Sequence, residues 1–525
     1  MKTRLFKCGL ILALLSLVIA PLGHPARAEE PSLEDQIEAS VVKGLTWLAA
    51  NQNPDGSWGS GCDSIAYTAM VVLKFETRAI ELGLDPLGPE YEYSGLVQSG
   101  LAYIMGFKQT MPINPQPAGN PDSDGDGIGV YFDMCGWHQV YSTGIAMMAL
   151  AASGHPEIYK DDLQDAVDYM AWAQADDYCG VYRGGWRYWG NGCDSDNSNS
   201  GYVTLGLGYA AAPPPWGFGL ATPQFVKDEL SLWADMIQDD VNGDGDDGGS
   251  WYDPYSPWVN ILKTGNLIYE FGLTGDGPDT QRVKDAVDYI ERHWFDWGGG
   301  GSGWRDHRQA MFTMMKGLSA LGIEKIDLDG DGTAEHDWFT EVALHLISTQ
   351  NPDGSWPWDP WADQTMSTAW ALLTLEKAVP ELEAPVPVDI KPGSCPNPFN
   401  LNEKGVLPVA IAGTADFDVT QVDPATVRLI YSDQEVAPLR WTYEDVATPY
   451  EPYLGKPSDA YACHKLGADG FKDLTLKFDS MTVAAMLTGV ADGQVLILTL
   501  TGALKEEFGG TPIHGEDVVK IILKK

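Results

Sequence analysis

Gln52-Asn53-Pro54-Asp55-Gly56-Ser57-Trp58 recurs letter for letter as Gln350-Asn351-Pro352-Asp353-Gly354-Ser355-Trp356. In both places a helix-like amphipathic run precedes the heptapeptide and a run of small apolar residues follows. Such identity at long range marks an internal repeat, and a repeated supersecondary unit constrains a fold more strongly than local propensity does. Related glycine–aromatic turns lie between the two copies: Gly136-Trp137, Gly185-Trp186, Gly249-Ser250-Trp251 and Gly303-Trp304. Six turns imply six units.

Ahead of the turns, Ile37-Val41-Leu45-Leu48 and Val283-Val287-Ile290 have the 3–4 spacing of helices with one apolar face. After them come runs almost without charge: 67–75, 142–152, 202–212, 258–269, 311–321 and 367–375. A helix apolar on every side is buried on every side. Alternating outer and inner helices with short connections predict an all-α (α/α)6 toroid barrel over about residues 32–380, in a domain assigned to 29–380. An open helical solenoid would need atypical polar caps at both ends, so the matching first and sixth turns favour a closed ring. The helical pattern stops at Glu381-Leu382-Glu383-Ala384-Pro385, and 381–388 reads as a linker. β-Branched runs at 386–390, 406–411, 426–431, 474–478, 495–500 and 518–523 predict an antiparallel β-sandwich over 389–525. The expected fold class is thus multidomain, a toroid followed by an all-β accessory domain.

The N-terminus carries Lys2, Arg4 and Lys7, an apolar run from Leu10 to Ala20, and Ala26-Arg27-Ala28. This is the pattern of a cleaved signal peptide over 1–28, and the apolar run is too short to span a bilayer. The whole chain has 33 basic against 74 acidic residues, a formal charge of −41, and cleavage removes four of the basic residues and none of the acidic ones. That surplus repels nucleic acid and anionic lipid and favours divalent cations. Six cysteines remain, an even number that in a secreted or periplasmic protein points to disulfides. Cys395 and Cys463 pair most simply with each other. The other four allow three pairings, of which Cys179–Cys193 with Cys62–Cys135 closes the shortest loops.

Trp47-Leu48-x-x-x-Gln52-x-x-x-Gly56-x-Trp58 resembles the QW repeat of squalene-hopene and oxidosqualene cyclases, whose toroid is shared with protein prenyltransferase β subunits. His345-Leu346-x-x-x-Gln350-x-x-x-Gly354-x-Trp356 repeats it, and Ser367-Thr368-Ala369-Trp370-Ala371-Leu372-Leu373 is similar to an inner-helix run of that superfamily. The resemblance covers about two-thirds of the chain and implies the toroid fold; activity belongs to the site. The cyclases use an Asp-x-Asp-Asp acid, and the match here, Asp244-Gly245-Asp246-Asp247, sits among glycines in a solvated turn. A catalytic acid must be desolvated to keep its proton. The prenyltransferases hold zinc with Asp, Cys and His. Cys62-Asp63, Asp306-His307 and Cys135 with His138 occupy comparable places, but oxidised cysteines offer no thiolate.

Asp122-Ser123-Asp124-Gly125-Asp126-Gly127, with Asp133 at the twelfth place, has the oxygen-ligand spacing of a calcium loop. Asp327-Leu328-Asp329-Gly330-Asp331-Gly332 repeats its start, and Asp240-Val241-Asn242-Gly243-Asp244-Gly245 is a third copy. All-oxygen ligands favour calcium over zinc, in a structural role.

The connections from outer to inner helices must all emerge at one end of the barrel. Arg183, Tyr188, Trp189, Tyr252 and Asp253 are expected there as ligand-binding groups. So are Trp297, Arg305, Trp358 and Trp361. Gly61-Cys62-Asp63-Ser64 and Gly192-Cys193-Asp194-Ser195 take equivalent positions. His307 is the candidate general acid or base, with Asp306, Asp63 and Asp363 as carboxylate partners. Aromatic rings beside carboxylates suit sugars, whose apolar ring faces stack while hydroxyls are read by polar groups.

These features predict an exported, calcium-stabilised toroid that binds an extracellular glycan or similar ligand at the barrel mouth and is a candidate to cleave it. A non-catalytic extracellular scaffold or surface protein is the alternative, because no nucleophile or acid–base pair stands at a diagnostic spacing. A terpenoid cyclase or prenyltransferase-like enzyme is the second. Paired carboxylates across the ring favour a glycosidase, an apolar carboxylate-free bore favours terpenoid ligands, and a filled bore favours a scaffold.

Overall fold

The structure is a computed structural model that describes residues 31–523 apart from 213, 221, 279, 381, 383, 403, 415–416, 432–433, 451–452, 454–455, 458, 488–489, 506–507 and 509–511. The expected signal peptide lies outside the described residues. Twelve helices form the first part: α1 (Leu33–Ala50), α2 (Ser64–Glu81), α3 (Ser94–Met105), α4 (Gln139–Ala152), α5 (Pro156–Ala173), α6 (Asn197–Ala211), α7 (Gln224–Ile237), α8 (Ile261–Leu273), α9 (Gln281–Arg292), α10 (Arg308–Ala320), α11 (Trp338–Thr349) and α12 (Gln364–Leu375). The even-numbered helices are buried nearly throughout, whereas the odd-numbered ones bury one stripe, such as Val283, Ala286 and Ile290 of α9, except that α5 is buried all round from Ala166 to Ala171. Each inner helix packs against the next, from α2 through α4, α6, α8 and α10 to α12, and α12 packs back against α2. The helical part is therefore a toroid with the outer helices around it.

Small residues let the inner backbones approach. A Cβ on Gly206 would lie 2.5 Å from the Gly144 carbonyl oxygen, and one on Gly317 2.5 Å from that of Gly265. The α4–α6 and α8–α10 contacts thus depend on glycine on both sides.

The repeated turn is explained by two side chains. In three of the turns the tryptophan is a buried wedge whose indole donates to the preceding outer helix, Trp58 to Leu48 O (2.8 Å), Trp186 to Met170 O (2.9 Å) and Trp356 to Leu346 O (2.9 Å), whereas Trp137, expected in the same role, is exposed and the Trp251 indole donates to Asp239. The turn's glutamine is a clamp between successive outer helices. Gln52 Nε2 donates to Gly56 O in its own turn and to Leu96 O on α3 (3.0 and 3.1 Å). Gln174 does the same to Gly184 O and Val226 O on α7 (2.8 and 3.0 Å), and Gln238 to Gly248 O and Arg282 O on α9 (3.1 and 2.8 Å). Gln350 links the last outer helix to the first by donating to Gly354 O and to Ser40 O on α1, both at 2.9 Å.

Two hairpins interrupt the helices: β1 (Lys108–Pro112) with β2 (Ile128–Phe132), and β3 (Lys325–Ile326) with β4 (His336–Asp337). They were not expected, and they carry the first and last acidic loops.

The remaining strands are β5 (Ala384–Pro385), β6 (Val388–Ile390), β7 (Pro398–Asn400), β8 (Val406–Ile411), β9 (Val422–Tyr431), β10 (Gln434–Val436), β11 (Arg440–Glu444), β12 (Asp473–Asp479), β13 (Val495–Leu504) and β14 (Pro512–Ile522). One sheet runs β10-β9-β13-β14-β5, with β7 also on β14, and the other β11-β12-β8-β6. Ile390, Val409 and Leu476 from the second sheet share one apolar core with Leu429, Leu498 and Ile521 from the first. The expected linker supplies β5, which pairs in parallel with Ile513 and His514. Disulfides join Cys62–Cys135, Cys179–Cys193 and Cys395–Cys463, the pairing with the shortest loops.

Candidate functional site

The mouth of the toroid is built on the N-terminal ends of the inner helices, where unpaired amide hydrogens favour carboxylates. Asp363 caps α12 by accepting from Thr365 and Met366 N (2.9 and 3.2 Å). Asp196 caps α6 by accepting from Asn199 N (2.8 Å), while its other oxygen meets Arg187 and the Tyr252 hydroxyl. Asp63 precedes α2, and its side chain is 53% exposed, with Oδ1 2.9 Å from His138 Nδ1. The neighbouring Cys62–Cys135 disulfide ties the two segments that carry this pair.

Rings continue inward from His138. Its imidazole lies 4.3 Å from the Trp137 ring and 5.1 Å from Tyr188, and Tyr141 meets Tyr202 edge-on at 5.1 Å. Gln309 Nε2 reaches the Tyr202 hydroxyl at 3.5 Å, and since α6 and α10 are not neighbours this contact crosses the bore. Burial, and then the charges of Asp363 and Asp63, raise the Tyr67 pKa, so its hydroxyl stays protonated. Burial raises Tyr141 and Tyr202 likewise. The floor is thus a layer of neutral phenols that can donate hydrogen bonds. At the far end Lys316 meets the Tyr209 hydroxyl and Ala378 O, and Lys74 pairs with Glu376, all buried. The bore is polar and crossed by side chains, unlike the carboxylate-free cavity expected for a terpenoid ligand.

The expected site residues divide. His307 is 2% exposed, with Nδ1 3.3 Å from buried Asp359, and it does not open onto the mouth. Asp359 Oδ2 accepts from Arg308 N at 2.7 Å, and Arg308 donates onward to Trp358 O, also at 2.7 Å. Although burial alone raises the Asp359 pKa, the His307 hydrogen bond and the charges of His307 and Arg308 hold it below the ordinary value. Asp306 is exposed at a positive φ of 60°, 3.3 Å from His345 Nε2. Arg183 and Arg305 are bound to outer-helix carboxylates, Glu229 and Glu341. Asp253 accepts from Tyr255 N (2.7 Å), and Tyr252 stacks on Trp258. Trp189, Trp297, Trp358 and Trp361 are exposed. Asp63, Tyr188, Asp363 and these tryptophans therefore come to the mouth, while His307, Arg183 and Arg305 serve as braces.

Sequence reasoning placed Trp258 inside an inner helix. Asn260 instead caps α8 by accepting from Lys263 N (3.1 Å), leaving Trp258 outside and half-exposed. Exposed Tyr255 and Phe295 escaped notice because no motif contains them.

Among the described residues three groups of carboxylates could share a cation: Asp122, Asp124 and Asp126; Asp239, Asp244 and Asp247; and Asp327, Asp329 and Asp331. The first and third match the expected loops. Asp133 is not gathered with the first, because β2 carries it away, and it accepts from Cys135 N at 3.1 Å. Carboxylates of α5 take its place beside the loop: Asp168 accepts from Ser123 N (2.9 Å), and burial plus the Asp126 and Asp124 charges push the Asp165 pKa up to about 7. In the middle loop the group forms around Asp239 and Asp247 rather than Asp240 and Asn242. The Asp-x-Asp-Asp run lies in this same exposed loop, and the Cys62–Cys135 bond removes thiolate ligands for zinc.

No known protein family and no curated protein matches the chain. Among solved structures, similar ones include an inactive variant of the alpha-1,6-mannanase GH76A of Salegentibacter sp. HEL1_6 in complex with alpha-1,6-mannotriose (11% identity, 66% of this chain and 99% of that one, TM-score 0.41). Another is the GH76 alpha-mannanase BT2949 of Bacteroides thetaiotaomicron (12% identity, 65% and 95%, TM-score 0.44). A third is a possible member of the GH105 family from Salmonella enterica (11% identity, 70% and 98%, TM-score 0.30). At these scores the likeness decides neither fold nor activity, and the toroid rests on the helix order and ring contacts above. Among the described residues no helix is long and apolar enough to cross a membrane.

Proposed function

We propose that the protein is an exported (α/α)6 toroid with a β-sandwich accessory domain, and that it binds an extracellular glycan across the toroid mouth. One observation carries this reading. Within described residues 31–380, every exposed aromatic side chain lies in a connection leading into an inner helix: Trp137, Tyr178, Trp189, Tyr255, Trp258, Phe295, Trp297, Trp358 and Trp361. Rings left in water on one rim, beside Asp63, His138 and Asp363, suit a ligand with apolar faces and many hydroxyls. The crossed bore favours binding over the mouth rather than deep within it. Asp63 and Asp363, whose charges both act on Tyr67, are the carboxylate pair proposed for cleavage. Three disulfides support an oxidising compartment, periplasmic or extracellular. Calcium in the Asp122 and Asp327 loops is proposed as structural, neutralising carboxylates that otherwise repel.

A glycan array probed with the mature protein tests the reading, followed by titration of any hit against Trp358→Ala and Trp361→Ala. These rings are 70% and 69% exposed, so their loss should weaken binding about tenfold or more without unfolding the chain. Unchanged binding in both variants, or no hit at all, would move the rim to a protein partner and the scaffold reading ahead. New reducing ends formed by wild type but not by Asp63→Asn or Asp363→Asn would establish cleavage.

A further inference from the structure

We propose that Asp239, Asp244 and Asp247 hold a divalent cation of the calcium type, and that Asp239 couples this ion to the Trp251 indole. The loop between α7 and Trp251 is closed at its base by paired backbone bonds, Asp239 N to Gly249 O (2.8 Å) and Gly248 N to Asp239 O (3.1 Å). This pairing turns Asp239 inward, where its residue is only 9% exposed, and leaves Asp240 at the surface. Asp239 Oδ1 accepts from Trp251 Nε1 at 2.8 Å. Its Oδ2 is buried and has no hydrogen-bond partner. A buried carboxylate oxygen without a donor is costly, and among the described residues no basic side chain forms an ion pair with Asp239.

Asp239, Asp244 and Asp247 each offer an oxygen within 4.8 Å of the other two. Two oxygens on one calcium, at about 2.4 Å each, are at most about 4.8 Å apart, so the three fit a single ion. Oxygen-only donors with three negative charges select a hard divalent cation over zinc or copper. The loop is also held from outside. Arg292 donates to Asp247 O, and His293 Nε2 lies 2.8 Å from Gly245 O, so the turn is fixed through its carbonyls and neither contact consumes one of its carboxylates. Asp247 Oδ1 accepts from the amides of Asn242, Gly243 and Asp244 (2.9, 3.1 and 3.3 Å), while Oδ2 accepts only from Gly243 N (3.0 Å) and keeps a lone pair.

This assignment departs from the spacing in the sequence, which nominates Asp240, Asn242 and Asp244. It also stands apart from the glycan reading, which can fail with the metal content unchanged. The test is equilibrium dialysis of chelator-treated full-length mature protein against radioactive calcium. Asp239→Asn keeps the acceptor for Trp251 and is expected to lose one bound equivalent, whereas Asp240→Asn is expected to lose none. Trp251→Phe should keep the equivalent, and calcium-induced change in tryptophan fluorescence should shrink in that variant. If Asp239→Asn does not fold by circular dichroism, Asp244→Asn on the exposed turn replaces it. Asp124→Asn and Asp329→Asn report on the other two loops separately. Full stoichiometry in Asp239→Asn or Asp244→Asn, or loss in Asp240→Asn instead, would overturn the proposal.

Discussion

Gln350 Nε2 donates to the carbonyl oxygen of Ser40 at 2.9 Å, across 310 residues of chain. The Ser40 hydroxyl returns a hydrogen bond to Gln350 Oε1 at 2.7 Å. The last outer helix is thereby fastened to the first by the same clamp that joins α1 to α3. Gln350→Ala removes these two bonds and the one to Gly354 O and leaves two carbonyls short of a donor, so it should cost about 2 kcal/mol. Gln224→Ala, which removes only the exposed bond to Asp228, should cost about 0.5 kcal/mol or less. Urea midpoints of the two variants, compared with wild type, check the difference.

The glycine contacts predict a second asymmetry. Gly206→Ala places a methyl group 2.5 Å from the Gly144 carbonyl, against backbone that has nowhere to move. A loss of about 1–3 kcal/mol is expected. At Gly245, where a Cβ meets nothing, alanine should be nearly neutral. Thermal unfolding of both variants distinguishes the sites.

His307 is expected to behave as a structural residue. His307→Ala should lower stability by about 2 kcal/mol through loss of the buried contact with Asp359. Ligand affinity per folded molecule should remain that of wild type. Cys62→Ser with Cys135→Ser should do more: it removes about 2–4 kcal/mol of stability and loosens the Asp63–His138 pair, so ligand affinity falls as well. Binding measured on the folded fraction of each variant separates the two behaviours.

In the β-region, burial and then the Asp517 charge push the Asp389 pKa up to about 7, and its Oδ2 has no partner. Its carboxyl is ordinary in the unfolded chain, so the folded state binds a proton that the unfolded state has released between about pH 4 and 7. Stability from this group is therefore present at low pH and lost as pH rises through about 7. Asp389→Asn should flatten that decline and be more stable than wild type at pH 8 by about 1–3 kcal/mol. Urea unfolding at pH 5 and pH 8 gives the comparison.

The ring was legible because Gln52 and Gln350 stand at identical spacing before Gly56 and Gly354. The equivalent clamps at Gln174 and Gln238 were hidden, since each reaches a glycine ten residues on, across a longer turn. Asp63 was visible through its repeated tetrapeptide, but the burial of His307 was not, because Asp359 lies on the next connection round the ring. The acidic loops were found by spacing. The hairpins that present them were missed because Lys108–Pro112 and Ile128–Phe132 are too short to show alternation, and the inward turn of Asp239 comes from a backbone pairing that no composition records. Strand β11 was missed for a related reason: Arg440–Glu444 is exposed on both faces, so it carries no two-residue rhythm.

The reach of the Gln350 clamp also sets a schedule. At about 5–20 residues per second of synthesis, helix α1 waits roughly 15–60 s for the partner that covers its open flank. Until then the nascent ring is an arc with an unsealed seam, and every intermediate length exposes a different pair of helix flanks. Slowing translation between α10 and α11 should therefore enrich species joined between molecules through the uncovered flank of α1.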